Sequence, residues 1–251
     1  AQHCECADLV KGGVIHDGRY AREHSLPGIC SECEWRMIER DLRLCAKTNV
    51  HYHVCHISTK ESVSLIRQAK KAGINVTCET APHYLTLCED DLRDEGRFKM
   101  NPPLRSAQDR EALIEGICDG TVDMIATDHA PHSKQEKQGG LRNSLMGITG
   151  LETAFPVLYT HLVKTRVITL EKLIDLMSCA PARIFGINTA GCVSVLDTGT
   201  RFTVDPDRFI SLGKSTPFEG AALYGKTLMT VVGGEIVFDG REDTHGKEQQ
   251  Q

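Results

Sequence analysis

The chain is 251 residues long, with 29 Lys and Arg against 34 Asp and Glu, a formal net charge of −5 and 40% apolar residues. That length suits one large domain or a domain with an appendage, and the apolar share allows a sizeable core. The basic residues are scattered rather than clustered, which argues against a nucleic-acid surface. No apolar run approaches the roughly 18 residues needed to span a bilayer, and the N-terminus lacks the basic-then-apolar pattern of a secretion signal. The eleven cysteines are odd in number and have no scaffold rhythm, so they read as reduced thiols of a cytoplasmic protein. Cys30 and Cys33 form a lone C-x-x-C without the second pair that a zinc site needs, and Cys4 and Cys6 read as buried small side chains.

In chain order, residues 1–8 read as a strand end running into a loop. Glu32 to Lys47 carries Trp35, Ile38, Leu42, Leu44 and Cys45 at helical spacing. Val50 to His56 is β-rich. A helix then starts at Ser58 or Thr59, with Glu61 as capping partner, and stops at Gly73. Ile74 to Glu79 is a strand, Ala107 to Cys118 a helix stopped by Gly120, and Val122 to Thr127 a strand that delivers Asp128. This alternation means parallel strands with crossover helices. The four βα units amount to about half of an eight-stranded barrel. Glu152 to Val163, Leu170 to Met177 and a piece ending at Gly186 are helical. Beyond Gly191 short strands take over (Val193–Leu196, Phe202–Val204, Leu228–Val232, Glu235–Phe238), with a hairpin turn at Val232-Gly233-Gly234-Glu235. The expected division is residues 1–190 as a partial hydrolase barrel, 191–240 as part of a small β domain and 241–251 as a disordered tail. The chain opens directly on a candidate ligand, His3, so the expectation is the C-terminal portion of a longer protein.

The most informative stretch is Ile125-Ala126-Thr127-Asp128-His129-Ala130-Pro131-His132. A buried strand that ends on Asp, then His, is how a barrel strand delivers a carboxylate to a metal or a substrate. Asp128 is costly there without a task. His56 ends another strand and reads as a ligand; His3 sits at a comparable end. Together these segments suggest a metal-assisted hydrolase. His51 and His53 lie on the strand face opposite His56 and are expected to pack against helices. His129 is left open as metal ligand, substrate contact or ligand-orienting residue, with His132 as a substrate contact and His83 as a pocket-lining residue. In Lys99-Met100-Asn101-Pro102-Pro103-Leu104-Arg105 two prolines stiffen the chain after Asn101, whose amide can serve both a carbonyl and an N–H of a cyclic amide. Arg105 reads as an anchor of that turn.

In order and spacing, His3-Cys4-Glu5, His53 to Ser62, Ala81-Pro82-His83, Lys99 to Arg105, Ile125 to His132 and Gly147-Ile148-Thr149-Gly150-Leu151-Glu152-Thr153 resemble bacterial dihydroorotase of the long type, in the amidohydrolase superfamily. The resemblance covers residues 1 to about 240, and the Asn-Pro-Pro-Leu-Arg segment favours dihydroorotase over allantoinase and dihydropyrimidinase. It implies a (β/α)8 TIM-like barrel, of which this chain would hold strands 5–8 plus part of a small β domain. It implies His3, His56 and Asp128 as metal ligands to one or two Zn2+, and Asp128 as the catalytic base. Asn101 and His132 would contact the pyrimidine ring, and the backbone at Met146 and Gly147 would line the pocket. The family often has an aromatic where this chain has Met146 and an Asp where it has Cys6. Its H-x-H, bridging group and carboxylate-binding Arg would lie upstream of Ala1.

The implied reaction is the reversible interconversion of dihydroorotate and N-carbamoyl-L-aspartate in pyrimidine biosynthesis. The 251 residues alone are expected to bind zinc weakly and to be inactive. Two other readings stand beside this one: a non-catalytic dihydroorotase-like subunit serving assembly with a transcarbamoylase, and a related cyclic amidase. A homo-oligomer also stays open.

Overall fold

A computed structural model describes residues 1–241. The expected 241–251 tail therefore lies outside the described residues except for Arg241.

Three short parallel strands form the central sheet: β3 (Tyr52–Val54), β4 (Val76–Thr80) and β5 (Met124–Ile125), adjacent in chain order. The pairing runs Tyr52 to Val76 and Glu79 to Met124. Gln2 adds a parallel bridge to Val54, its N–H donating to the His53 carbonyl and its own carbonyl receiving the Cys55 N–H. Four chain segments thus lie side by side in sequence order, as successive βα units require. Ahead of β3 lies a two-stranded parallel pair, β1 (Ile15–His16) with β2 (Gly28–Ile29). Two residues each give no periodicity, and the sequence reading has neither.

The crossover helices start and stop for local reasons. The helix Glu32–Thr48 buries Cys33, Glu34, Ile38, Leu42 and Cys45 along one stripe and ends at Asn49, which takes the left-handed conformation. Leu44, expected inside, is exposed. The helix Lys60–Lys71 is capped by the Thr59 hydroxyl, which accepts the Ser62 N–H. Glu61 is therefore no capping partner, because the third helical position belongs to Ser62. The helix Ala107–Asp119 begins with a capping box between Ser106 and Asp109 and ends at Gly120, φ 82°. Gly116 lets this helix approach: a Cβ there would come within 2.9 Å of Val122 and 3.3 Å of Val63. Tyr52, Val54, Val76 and Cys78 point to the helices and are buried in the main core. The alternate residues, His53, Thr77 and Glu79, share the opposite face.

Downstream, the expected 152–163 and 170–177 helices are present as Ala154–Leu158 and Leu170–Ile174, each prolonged by a π-helical turn. Beyond them stands an antiparallel sheet of β6 (Val193–Thr203), β7 (Ala222–Val232) and β8 (Glu235–Asp239). The two strands expected between 193 and 204 are one, broken in register between Asp197 and Arg201. The hairpin at Gly233-Gly234 is as expected, both glycines having positive φ. Val157, Val204, Phe218 and Leu223 form a separate small core. No helix among the described residues is long and apolar enough to cross a membrane.

Candidate functional site

His3, His56 and Asp128 follow the C-terminal ends of parallel segments of one sheet, with β4 between the last two, and the structure brings them together. His3 Nδ1 lies 3.0 Å from His56 Nε2. The bridge from Gln2 to Val54 places His3 there. Asp128 is close enough for its charge to act on both rings. His56 and Asp128 are among six described non-glycine residues with positive φ, at 34° and 46°. A left-handed backbone costs a non-glycine residue about 1–3 kcal/mol, and such strain gathers at functional sites. At His56 it also breaks the strand alternation.

Burial disfavours charge on His3, on Asp128 and on the neighbouring His83. It holds His3 below the usual imidazole range, with His56 adding to the effect and Glu5 and Asp128 opposing it. It pushes the Asp128 carboxyl up, against the pull of His56 and His3. His83 is fully buried next to this group, its imidazole driven down to about 3 by burial and then by His56. Two buried ring nitrogens, His56 Nδ1 and His83 Nε2, have no hydrogen-bond partner. Two imidazoles and a carboxyl group, with an orphaned buried ring nitrogen on His56, make a donor set that fits a divalent metal ion.

Asn101 stands next to this group through Glu5: its Nδ2 donates to Glu5 Oε2 at 2.6 Å, and the same oxygen lies 3.9 Å from His3 Nε2. Glu5, quoted in a sequence motif but given no task there, thus links His3 to Asn101. His132 donates Nε2–H to the Met146 carbonyl at 2.9 Å. Gly147 follows at φ 141°, where a Cβ would meet the Ala130 carbonyl at 2.6 Å, so only glycine fits. Lys137 joins the two halves. Its buried ammonium donates to the carbonyls of Lys99, Leu145 and Gly147 at 2.7–2.9 Å. It therefore holds the segment leading to Asn101 against the Met146–Gly147 segment. Burial and the charge of Lys99 bring its pKa down to about 8.

Two more residues support the site, Glu34 without any motif to reveal it and Arg105 from the end of the Lys99–Arg105 segment. Glu34, buried in the 32–48 helix, accepts the backbone N–H groups of Ser58 and Thr59 and the hydroxyls of Ser58, Thr59 and Ser62. Arg105 donates to Ser58 Oγ at 3.1 Å and to the Ile29 carbonyl at 2.8 Å, which makes it the anchor expected. Both fix the turn just after His56. The signal for Glu34 was its place on the stripe of Cys33 and Ile38.

His53 packs edge-on against Phe185 of the helix Ala180–Phe185, in line with its expected packing against a helix, whereas His51 is exposed; both bond Thr77 Oγ1, at 2.8 and 2.9 Å respectively. His129 Nδ1 accepts the N–H groups of Gly150 and Leu151, so it orders that turn. Cys6 is half-buried rather than buried. Cys30 and Cys33 have sulfurs 3.5 Å apart.

The sequence pattern of the Amidohydrolase family matches residues 6–237. The dihydroorotase of Geobacillus sp. (strain WCH70) is 52% identical over 249 residues, covering 96% of this chain and 58% of the relative. That of Bacillus caldolyticus is 51% identical over 245 residues, covering 94% and 57%. The chain thus spans a little over half the length of the curated relatives it matches. Among solved structures, the L-hydantoinase (dihydropyrimidinase) from Arthrobacter aurescens superimposes with a TM-score of 0.81 at 28% identity, over 94% of this chain and 56% of that one. The D-hydantoinase from Bacillus sp. AR9 matches at 0.81 and 23% identity, a likeness of fold. The resemblance read from the motifs is borne out, and the α/β fold is TIM-barrel-like. By sequence pattern and by fold, the chain belongs to the amidohydrolase family.

Proposed function

We propose that this chain is the C-terminal part of a dihydroorotase that interconverts dihydroorotate and N-carbamoyl-L-aspartate with zinc. The observation that carries the reading is the convergence of His3, His56 and Asp128 at strand ends, in a chain about half identical to dihydroorotases. The solved hydantoinases share the fold at lower identity, so dihydroorotate is favoured over other cyclic amides. In this reading residues 1–190 are barrel strands 5–8 with their helices, and 191–240 belong to a small β domain. The exposed Val193, Ile236 and Val237 support that division, since a complete sheet would cover them. The cytoplasm is the proposed location.

His3, His56 and Asp128 would hold the zinc ion, which when bound supplies Lewis-acid activation of the ring carbonyl. This chain's own residues do the rest. Asp128 takes the proton of the attacking water and returns it to the leaving ring nitrogen. Asn101, steadied by Glu5, and His132, steadied by the Met146 carbonyl, orient the pyrimidine ring. The Met146–Gly147 backbone forms the wall of the pocket, with its position set by Lys137. A purely structural subunit would have no use for strained backbone at both His56 and Asp128, which sets the assembly reading second.

The test is substrate selectivity of a chain extended upstream. Turnover of dihydroorotate well above hydantoin and dihydrouracil, lowered by Asn101→Ala, supports the proposal. Preference for either of the other rings would replace it with the related cyclic amidase.

A further inference from the structure

We propose that His53, Cys55 and Glu79 form a second site, for a thiophilic divalent cation such as Zn2+, on the sheet face opposite the crossover helices. It shares no ligand with His3, His56 and Asp128, and it stands independently of the dihydroorotase reading.

The strand geometry makes the site. His53 and Cys55 are two residues apart and so share a face. His53 pairs with Thr77 in the neighbouring strand, which puts Glu79 level with Cys55. One ligand atom from each of the three lies within 4.8 Å of the others. Tetrahedral zinc, with bonds of about 2.0–2.3 Å, needs ligand atoms roughly 3.5 Å apart, so side-chain adjustments of about 1 Å close the site. The donor set of one nitrogen, one sulfur and one carboxylate oxygen is one that zinc accepts.

The imidazole is already aimed. His53 Nδ1 lies 2.8 Å from Thr77 Oγ1, which is itself 2.9 Å from His51 Nε2. Nε2 therefore faces Glu79 Oε2, at 3.3 Å. Thr77 has one hydroxyl proton. It can point to His53, which leaves an N–H on Nε2 toward Glu79. It can also turn to His51, with His53 donating Nδ1–H to Thr77. In the second arrangement Nε2 is bare beside a carboxylate, and a cation between them satisfies both. Metal binding selects that tautomer, the orienting role that ligand-bound partners commonly play. The Cys55 thiol gives its proton to solvent and its sulfur electron pair to the metal. Phe185 packs edge-on against His53 with ring centroids 5.0 Å apart, and His53 is buried, which keeps water from one side of the site.

The experiment is a Co2+ titration of the full 251-residue chain under reducing conditions, following thiolate-to-cobalt charge-transfer absorption, with Zn2+ as competitor. The proposal expects the band in the natural chain and in Asp128→Asn. It expects the band to vanish in Cys55→Ser, and affinity to fall at least about tenfold in Glu79→Gln, with circular dichroism confirming that each variant is folded. Absence of the band from the natural chain overturns the proposal. So does a band that survives Cys55→Ser, including one abolished instead by Cys30→Ser, which would place the metal at the Cys30–Cys33 pair.

Discussion

His3 Nδ1 and His56 Nε2 stand 3.0 Å apart although 53 positions separate them in the chain. The approach follows from one bridge, Gln2 to Val54, and from the left-handed turn at His56. That turn is the costly part. We expect His56→Gly to hold stability or raise it by up to about 1 kcal/mol, because glycine relieves the strain, while metal affinity falls. Thermal unfolding and zinc competition with a chromophoric chelator check this; a destabilised variant would mean that His56 is held for packing.

Glu34 is the support behind that turn. Its carboxylate collects five donors from Ser58, Thr59 and Ser62, and Ser58 Oγ also receives Arg105. Glu34→Gln puts an amide N–H where donors already point. Breaking one partner of a buried charged network costs about 3–5 kcal/mol, so we expect a loss of about 3 kcal/mol in urea unfolding. Ser62→Ala, which removes a single hydroxyl donor, should cost only about 1 kcal/mol.

Lys137 binds three carbonyls from inside the core. Lys137→Met fills similar volume but leaves buried acceptors without donors, at about 1–3 kcal/mol for each that finds no other partner. We expect a loss of about 3 kcal/mol. Hydrogen exchange at the Gly147 amide, which donates to the Lys99 carbonyl, should quicken more than exchange in the 60–71 helix. Equal quickening in both would assign Lys137 to global stability alone.

His16 sets a pH dependence. It is buried, with Nδ1 3.4 Å from an Arg105 guanidinium nitrogen, and burial followed by the Arg105 charge lowers its pKa. The unfolded chain takes up this proton below about pH 6.5, and the folded chain resists it. Stability should therefore fall as pH drops below about 6.5, by at most about 1.4 kcal/mol per unit from this residue. His16→Gln should flatten the slope between pH 6.5 and 5 relative to the natural chain. An unchanged slope would assign the acid sensitivity to other groups.

Much of this was legible in the residues. Asp128 announced itself because a buried strand ran into a carboxylate, and the long helices because their apolar stripes and capping residues agreed. The parity of the third strand was also legible: Tyr52 and Val54 on one face, His51, His53 and Cys55 on the other. Which face met the crossover helices was not, because a parallel strand is covered on both sides. Lys137 sits in Ser133-Lys134-Gln135-Glu136-Lys137-Gln138, a polar run that reads as surface, and only the fold turns one of its lysines inward. Glu34 was hidden likewise, since a helical glutamate normally faces water. The strands β1 and β2 are too short to carry a period, so pairing alone defines them.

The most direct test of the central claim pairs zinc content by elemental analysis with dihydroorotate hydrolysis, on the 251-residue chain, a chain extended upstream, and the extended chain carrying Asp128→Asn. The account predicts that only the extended chain turns over, in both directions, that it carries more zinc per chain than the 251 residues alone, and that Asp128→Asn lowers its turnover about a hundredfold or more. An extended chain that is folded but inert, with or without zinc, would contradict it and leave the assembly subunit as the function.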